Sequence, residues 1–270
     1  MRVAVVQFDP HLGDVEANLE AMRAGILAAD ADLVVFPECA LQGYSYESRD
    51  AAALIAETIP GPATNALGEA CRRAQCTAIF GLLERDGDRL FNAAAVVGPS
   101  GLIGRYRKMH LPFLGVDRFA DPGDLGFPVF ETPLARVGVL ICFDLSFPEA
   151  ARCLKLGGAQ VLCVPTNWPL AAEVSCVHSP PSRAQENHIH VVTADRVGDE
   201  GGFRFRGESR VVDCSGRVLA VAGDRAEVIR ATLDPAAADA NRVVYVPGKY
   251  EIDRVGGRRP EFYEAVSRVT

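Results

Sequence analysis

Three side chains of complementary reactivity stand just past apolar runs. Glu38 follows residues 33–37, Lys108 follows residues 101–106, and Cys142 follows residues 136–141. In α/β sheets the carboxyl ends of strands are where ligands bind, because loops and helix N-termini converge there. A thiol is weakly ionised at neutral pH and needs a base to become a nucleophile. Glu38 can be that base if burial raises its pKa toward the working pH. Lys108 supplies the positive charge that a tetrahedral oxyanion would use. A helix opening just after Cys142 would favour a thiolate or an oxyanion there. Each residue alone also has a plainer role: Cys142 as a packed thiol, Glu38 as a helix-cap or surface acid, Lys108 as an exposed charge.

The elements that would bring these groups together follow from hydropathy patterning. Residues 3–8 and 33–36 read as buried strands. Asp14 reads as the N-cap of a helix whose apolar face is Val15, Leu19, Met22 and Ile26. Residues 62–75 suit a helix with Pro62 in its first turn. Residues 77–84 and 90–97 form a hairpin about Asp86-Gly87-Asp88. Further strands are predicted over 101–106, 136–141, 160–164 and 189–194. Ser146 and Glu149 read as a capping box for a helix that Gly157-Gly158 closes. A second helix is predicted around 182–188, and strand-like segments over 209–213, 217–221 and 227–233. Strands alternate with helices through two-thirds of the chain, which predicts an α/β fold with a mixed sheet. One domain over residues 1–270 is expected, with no repeat or linker and with residues from 240 free to serve as an arm.

Composition narrows the function classes. The net charge of −7, from 28 basic and 35 acidic side chains, argues against nucleic acid as a partner. No uncharged apolar run reaches membrane-spanning length, so no membrane partner is expected. The eight cysteines are scattered through a 270-residue chain without a C-x-x-C pair. With no signal-peptide pattern at Met1-Arg2-Val3-Ala4, they point to a reduced, cytoplasmic protein.

The order and neighbours of the three residues resemble the nitrilase superfamily of carbon–nitrogen hydrolases. Phe36-Pro37-Glu38 with Gly43-Tyr44 resembles its glutamate motif. Tyr106-Arg107-Lys108-Met109-His110-Leu111-Pro112 resembles its lysine motif. Gly138-Val139-Leu140-Ile141-Cys142-Phe143-Asp144 with Phe147-Pro148-Glu149 resembles its cysteine motif. Asn167-Trp168-Pro169, Arg183-Ala184-Gln185-Glu186-Asn187 and Gly207-Glu208-Ser209 are similar to further landmarks.

The resemblance implies an α/β, four-layer α-β-β-α sandwich that pairs into homodimers or larger assemblies, the C-terminal segment crossing to a neighbour. It implies Glu38 as general base, Lys108 as oxyanion-stabilising cation and Cys142 as nucleophile, with the Phe143 backbone N–H as a second oxyanion donor. A small amide would be split through a thioester, releasing a carboxylic acid and ammonia, with no metal or organic cofactor. Relatives carry a second glutamate after the lysine motif; here the nearest acid is Asp117. Phe143-Asp144 after the cysteine is more like the amidase, ω-amidase and carbamoylase branches than the Trp-Glu of nitrilases. N-carbamoyl compounds are thus an alternative substrate class, and nitriles a lesser one.

Other residues have competing roles. Asn167 and Trp168 can line the substrate pocket, or Trp168 can be core. His110 is expected to make a structural hydrogen bond, and Arg183 and Glu186 an ion pair near the site. His188 and His190, alternating about Ile189, could join Cys176 and His178 in a metal site, although no standard zinc spacing is present. A chain of this fold kept only as an oligomeric scaffold is the remaining alternative.

Overall fold

Alternation along the buried strands sorts side chains into two layers of core. In the computed structural model, which describes residues 1–268, the first sheet begins with β1 (Arg2–Gln7), β2 (Leu33–Val35), β3 (Thr77–Asp86), β4 (Arg89–Gly98) and β5 (Gly101–Arg107). The helices α1 (Val15–Ala28), α2 (Arg49–Ile55) and α3 (Pro62–Ala74) lie between these strands in sequence. The chain continues through β6 (Val129–Glu131), β7 (Arg136–Val139), α4 (Pro148–Leu156), β8 (Val161–Thr166), α5 (Glu173–Asn187) and β9 (His190–Asp195). A short hairpin, β10 (Asp199–Glu200) and β11 (Phe203–Arg204), precedes β12 (Arg210–Val212) and β13 (Val218–Val221). Then β14 (Glu227–Thr232) returns to the first sheet. The chain goes on with α6 (Pro235–Asp239), a hairpin of β15 (Arg242–Val246) and β16 (Tyr250–Asp253), and α7 (Glu264–Ser267).

The strand orders are β14-β1-β2-β3-β4-β5 and β13-β12-β9-β8-β7-β6. Each sheet has three parallel strands at its centre, β1-β2-β3 and β7-β8-β9, flanked by antiparallel neighbours. Val3, Val5, Leu33, Val35 and Ile79 face the second sheet and pack with Val137, Val139, Val161 and Val192. The intervening Ala4, Val6, Val34 and Phe80 face outward, against Met22 and Ile26 of α1 and Leu67 and Cys71 of α3. On the far side, α5 packs on β9 and β12 while Leu154 of α4 covers Gly138 of β7. The result is an α-β-β-α sandwich. Period-2 burial on both faces is what strands in the middle of such a stack require.

Most elements fall where patterning places them, including the Asp14 cap, whose carboxylate accepts from the Ala17 amide at 3.1 Å. Three expectations are corrected. The helix around 182–188 starts at Glu173 and runs through Pro180 and Pro181. These prolines lack the N–H groups that would bond the carbonyls one turn back; Arg210 Nη1 donates to one of them, that of Val177, at 3.3 Å. Ser146 does not cap α4: the cap is Phe147, Pro148 takes the first helical position, and Ser146 ends a 3-10 turn over Cys142–Ser146. His188 is the left-handed C-cap of α5 (φ 49°), so it does not share a strand face with His190. Their rings meet the carbonyls of Ala237 (3.1 Å) and Asp234 (2.8 Å) instead. Among the described residues, no group of His, Cys, Asp and Glu could hold a metal ion, and no helix is long and apolar enough to cross a membrane.

Candidate active site

Glu38 lies in the loop after β2, and β3 holds that loop by its backbone. Gly81 N donates to the Pro37 carbonyl at 3.0 Å, and Leu41 N donates to the Gly81 carbonyl at 3.3 Å. A Cβ at Gly81 would sit 2.4 Å from the Cys39 nitrogen and 2.6 Å from Glu38 Cα, so only glycine lets the loop approach this closely. Lys108 leaves β5 with its amide on the Asn92 carbonyl of β4 at 2.8 Å. Asp117 sits in a 3-10 turn over Gly115–Arg118, tied down by Val116 N on the Tyr44 carbonyl at 2.8 Å.

These elements bury the three side chains together. Lys108 Nζ donates to Glu38 Oε1 and to Asp117 Oδ2, each at 2.6 Å, and all three side chains are fully buried. Asn92 Nδ2 donates to Glu38 Oε1 at 2.7 Å and to Asp117 Oδ1 at 2.8 Å. Tyr44 OH donates to Asp117 Oδ2 at 2.8 Å. The surface-acid and exposed-cation alternatives for Glu38 and Lys108 are thereby overturned. The short side chain of Asp117 reaches the lysine because its loop comes close.

Burial pushes the Glu38 carboxyl up, and so does the Asp117 carboxylate; Lys108 and Asn92 pull it partly back. Burial alone would lower the Lys108 ammonium, but Asp117, Glu38 and Cys142 around it hold it well above its usual range. An ammonium has three donors. Two of Lys108's go to carboxylates, leaving one for a further acceptor.

Cys142 follows β7 and opens a 3-10 turn in the left-handed conformation (φ 48°), which L-residues seldom adopt. Cys39, next to Glu38, has the same φ. Strained backbone of this kind clusters at functional sites. Asp144 ties the cysteine turn to the lysine segment. Its Oδ2 accepts from Tyr106 OH (2.8 Å) and Ile141 N (2.9 Å), and its Oδ1 from His110 N (3.0 Å) and the His110 ring (2.7 Å). His110 thus makes the structural bond expected of it, and Arg183 braces the same turn through the Leu145 carbonyl (3.0 Å) while pairing with Glu186 (3.0 Å). Burial and the Glu38 charge push the Cys142 thiol up; the Lys108 charge and the backbone N–H of Asn167 work against that. At rest the sulfur is therefore a thiol that needs a base.

The ends of β8 and β9 and the Glu38 carboxylate carry polar atoms without partners. Thr166 Oγ1, both amide atoms of Asn167, Asp195 Oδ2 and Glu38 Oε2 are buried without a partner among the described residues. Buried polar groups are seldom left so. Asn167 also lines a small cavity with Tyr44, Leu114, Phe203 and Phe205, while Trp168 is buried in the main core. Leu114 and Phe203 also line a second cavity of about 480 Å³. Asn92, Thr166 and Asp195 are site residues that the sequence did not single out, and Tyr44 stood there only as a motif neighbour of Glu38. Of the first three, only Asn92 carried a signal, as a lone amide in the apolar run 90–97.

The model of the carbon-nitrogen hydrolase family matches residues 2–242. The chain is 41% identical over 233 residues to a protein named nitrilase from Pyrococcus abyssi, covering 85% of this chain and 87% of that one. It is 36% identical over 231 residues to an (R)-stereoselective amidase from Pseudomonas sp., covering 83% and 81%. Its fold is similar, with a TM-score of 0.82 at 23% identity over 98% of this chain and 99% of the other, to a mutant of the amidase from Nesterenkonia sp. AN1 in which acrylamide has added to the active-site cysteine.

Proposed function

We propose that this chain, which belongs to the carbon–nitrogen hydrolase family, hydrolyses a small amide to a carboxylic acid and ammonia by way of a thioester on Cys142. The observation that carries this is the buried cluster in which Lys108 bonds both Glu38 and Asp117, with the charges of Glu38 and Lys108 acting on the Cys142 sulfur. Glu38 takes the thiol proton as sulfur attacks the carbonyl carbon. The carbonyl oxygen becomes an oxyanion, held by the remaining N–H of Lys108 and the backbone N–H of Phe143. Glu38 returns the proton to the nitrogen, the C–N bond breaks, and ammonia leaves a thioester. Water then attacks, with Glu38 as base, and the acid and free thiol are released. Asp117 positions Lys108. Asn167 orients the amide, while Trp168 acts only by holding the Asn167 segment.

Nitriles are a second reading, favoured by the relative named nitrilase. N-carbamoyl compounds remain an alternative. A screen for ammonia release from short aliphatic amides, dicarboxylate monoamides, N-carbamoyl amino acids and nitriles separates these. Turnover of an amide by wild type but not Cys142→Ser supports the proposal, and nitrile turnover without amide turnover would displace it.

The acid limb of activity tests the role of Glu38. Burial raises its pKa, and catalysis needs the carboxylate. Activity is therefore full above the raised value and lost as pH falls through it. The acid-side midpoint of kcat/KM should lie above the usual glutamate value of about 4.3. A midpoint at or below that value would remove Glu38 as the base.

We further propose one hydrolase domain over the whole chain, in a reduced cytoplasm, that pairs as a homodimer or higher homo-oligomer through an arm from residue 240. The β15–β16 hairpin leaves Tyr245 and Tyr250 64% and 66% exposed, and Phe262 beyond it 71%. A second copy would cover these rings. Sedimentation of the full chain checks this; a monomer at micromolar concentration would refute it.

A further inference from the structure

We infer that Asn92 is a positioning residue that commits one oxygen of Glu38 to hydrogen bonding and reserves the other for proton transfer with Cys142, an assignment that rests on the cysteine chemistry proposed above. Asn92 is 1% exposed and points from β4 into the cluster. Its two amide hydrogens are divided between two carboxylates, Glu38 Oε1 at 2.7 Å and Asp117 Oδ1 at 2.8 Å. Its Oδ1 accepts from the Cys39 thiol at 3.6 Å. That thiol stays protonated, because burial and the charge of Glu38 push it well above its usual range. Two carboxylates on one side and a thiol donor on the other leave only this orientation of the amide.

Lys108 closes the ring by bonding the same Glu38 Oε1 and the other oxygen of Asp117. Glu38 Oε1 thus accepts two donors, while Oε2, equally buried, has no partner among the described residues. A proton on Oε1 would have to displace a donor; a proton on Oε2 displaces nothing. Two short bonds to Oε1 also stop the carboxylate from rotating, so the basic oxygen faces one way. Asn92 does this without adding charge to a cluster that already holds two carboxylates and one ammonium. The titratable groups whose charges act on Glu38, or on which it acts, are Lys108, Asp117, Cys142, Cys39, Tyr44 and Asp195. Of the neutral donors, Asn92 is the one that pulls its pKa down.

Asn92→Ala removes both donors. The expected result is a rise in the acid-side midpoint of kcat/KM by about one to two pH units, as loss of a hydrogen bond to a charged group implies. Turnover near neutrality should fall about 10- to 100-fold with KM nearly unchanged, since Asn92 does not touch substrate. A purely structural role would lower stability without moving the midpoint. Asn92→Ser, a smaller change that keeps one donor, must shift the midpoint in the same direction if the alanine variant does not fold.

The second readout is the pH dependence of Cys142 alkylation by iodoacetamide, resolved by peptide mass spectrometry, which requires no substrate. Its midpoint should rise in parallel. A folded Asn92 variant whose midpoints match wild type overturns the assignment. If wild type hydrolyses none of the panel but the alkylation midpoint still rises, the assignment stands and the amidase proposal fails. If amides are hydrolysed through Cys142 and the midpoint stays put, the assignment alone fails.

Discussion

Cys142→Ala is expected to abolish amide hydrolysis and leave the fold as it is. The loss in kcat should reach at least roughly 10⁴-fold, the scale seen when a covalent nucleophile is removed. The fold should survive because Cys142 sits at the margin of the core, only partly buried, and alanine keeps its Cβ there. Alanine meets the same left-handed backbone strain at φ 48° that cysteine does. The turn is held by Asp144 and Arg183, neither of which touches the sulfur. Thermal unfolding of the variant should therefore stay within about 1 kcal/mol of wild type. Wild-type turnover in the purified variant would refute the nucleophile.

Lys108→Ala is expected to cost both activity and stability. From the sequence it reads as a clean loss of a charge that the oxyanion uses, worth about 10²- to 10³-fold in kcat. Complete burial changes that expectation. Removing the ammonium leaves Glu38 Oε1 and Asp117 Oδ2 buried, like-charged and short of a partner, where each now has Lys108 at 2.6 Å. Breaking a buried ion pair by deleting one member costs about 3–5 kcal/mol. The sign with pH follows. The deficit should be largest where Glu38 is ionised. It should shrink as pH falls, because protonation removes the uncompensated charge. Urea unfolding of wild type and variant at neutral and acid pH measures it. A constant or growing gap toward acid would mean that the two carboxylates do not depend on Lys108.

The parts of the site legible in the sequence are those that strand ends announce. Glu38, Lys108 and Cys142 each terminate an apolar run; β2 and β7 belong to the parallel centres of their sheets, and β5 runs the same way as β3 because two successive antiparallel pairings, β3–β4 and β4–β5, restore its direction. Asp117 was legible only as the nearest acid; its reach depends on a loop anchored by Tyr44, which no spacing reveals. Asn92 showed only as a lone amide in an apolar run; its role was hidden because its partners, 54 and 25 residues away, are met only in the folded chain. The start of α5 was obscured by Pro180-Pro181, whose accommodation uses a distant arginine. The helix α2 has one buried side chain, Ala52, and so offers no apolar stripe to detect. Local signals place the groups that end elements, and the hydrogen bonds that tune those groups are long-range.

The most direct measurement is acid-quenched, peptide-resolved mass spectrometry of the enzyme mixed with a turned-over short amide. The cysteine mechanism predicts a transient mass gain on Cys142 alone, equal to the acyl group less one hydrogen, absent from Cys142→Ala. Turnover with no acyl adduct on Cys142 at any quench time, or with the adduct on another of the eight cysteines, would contradict it.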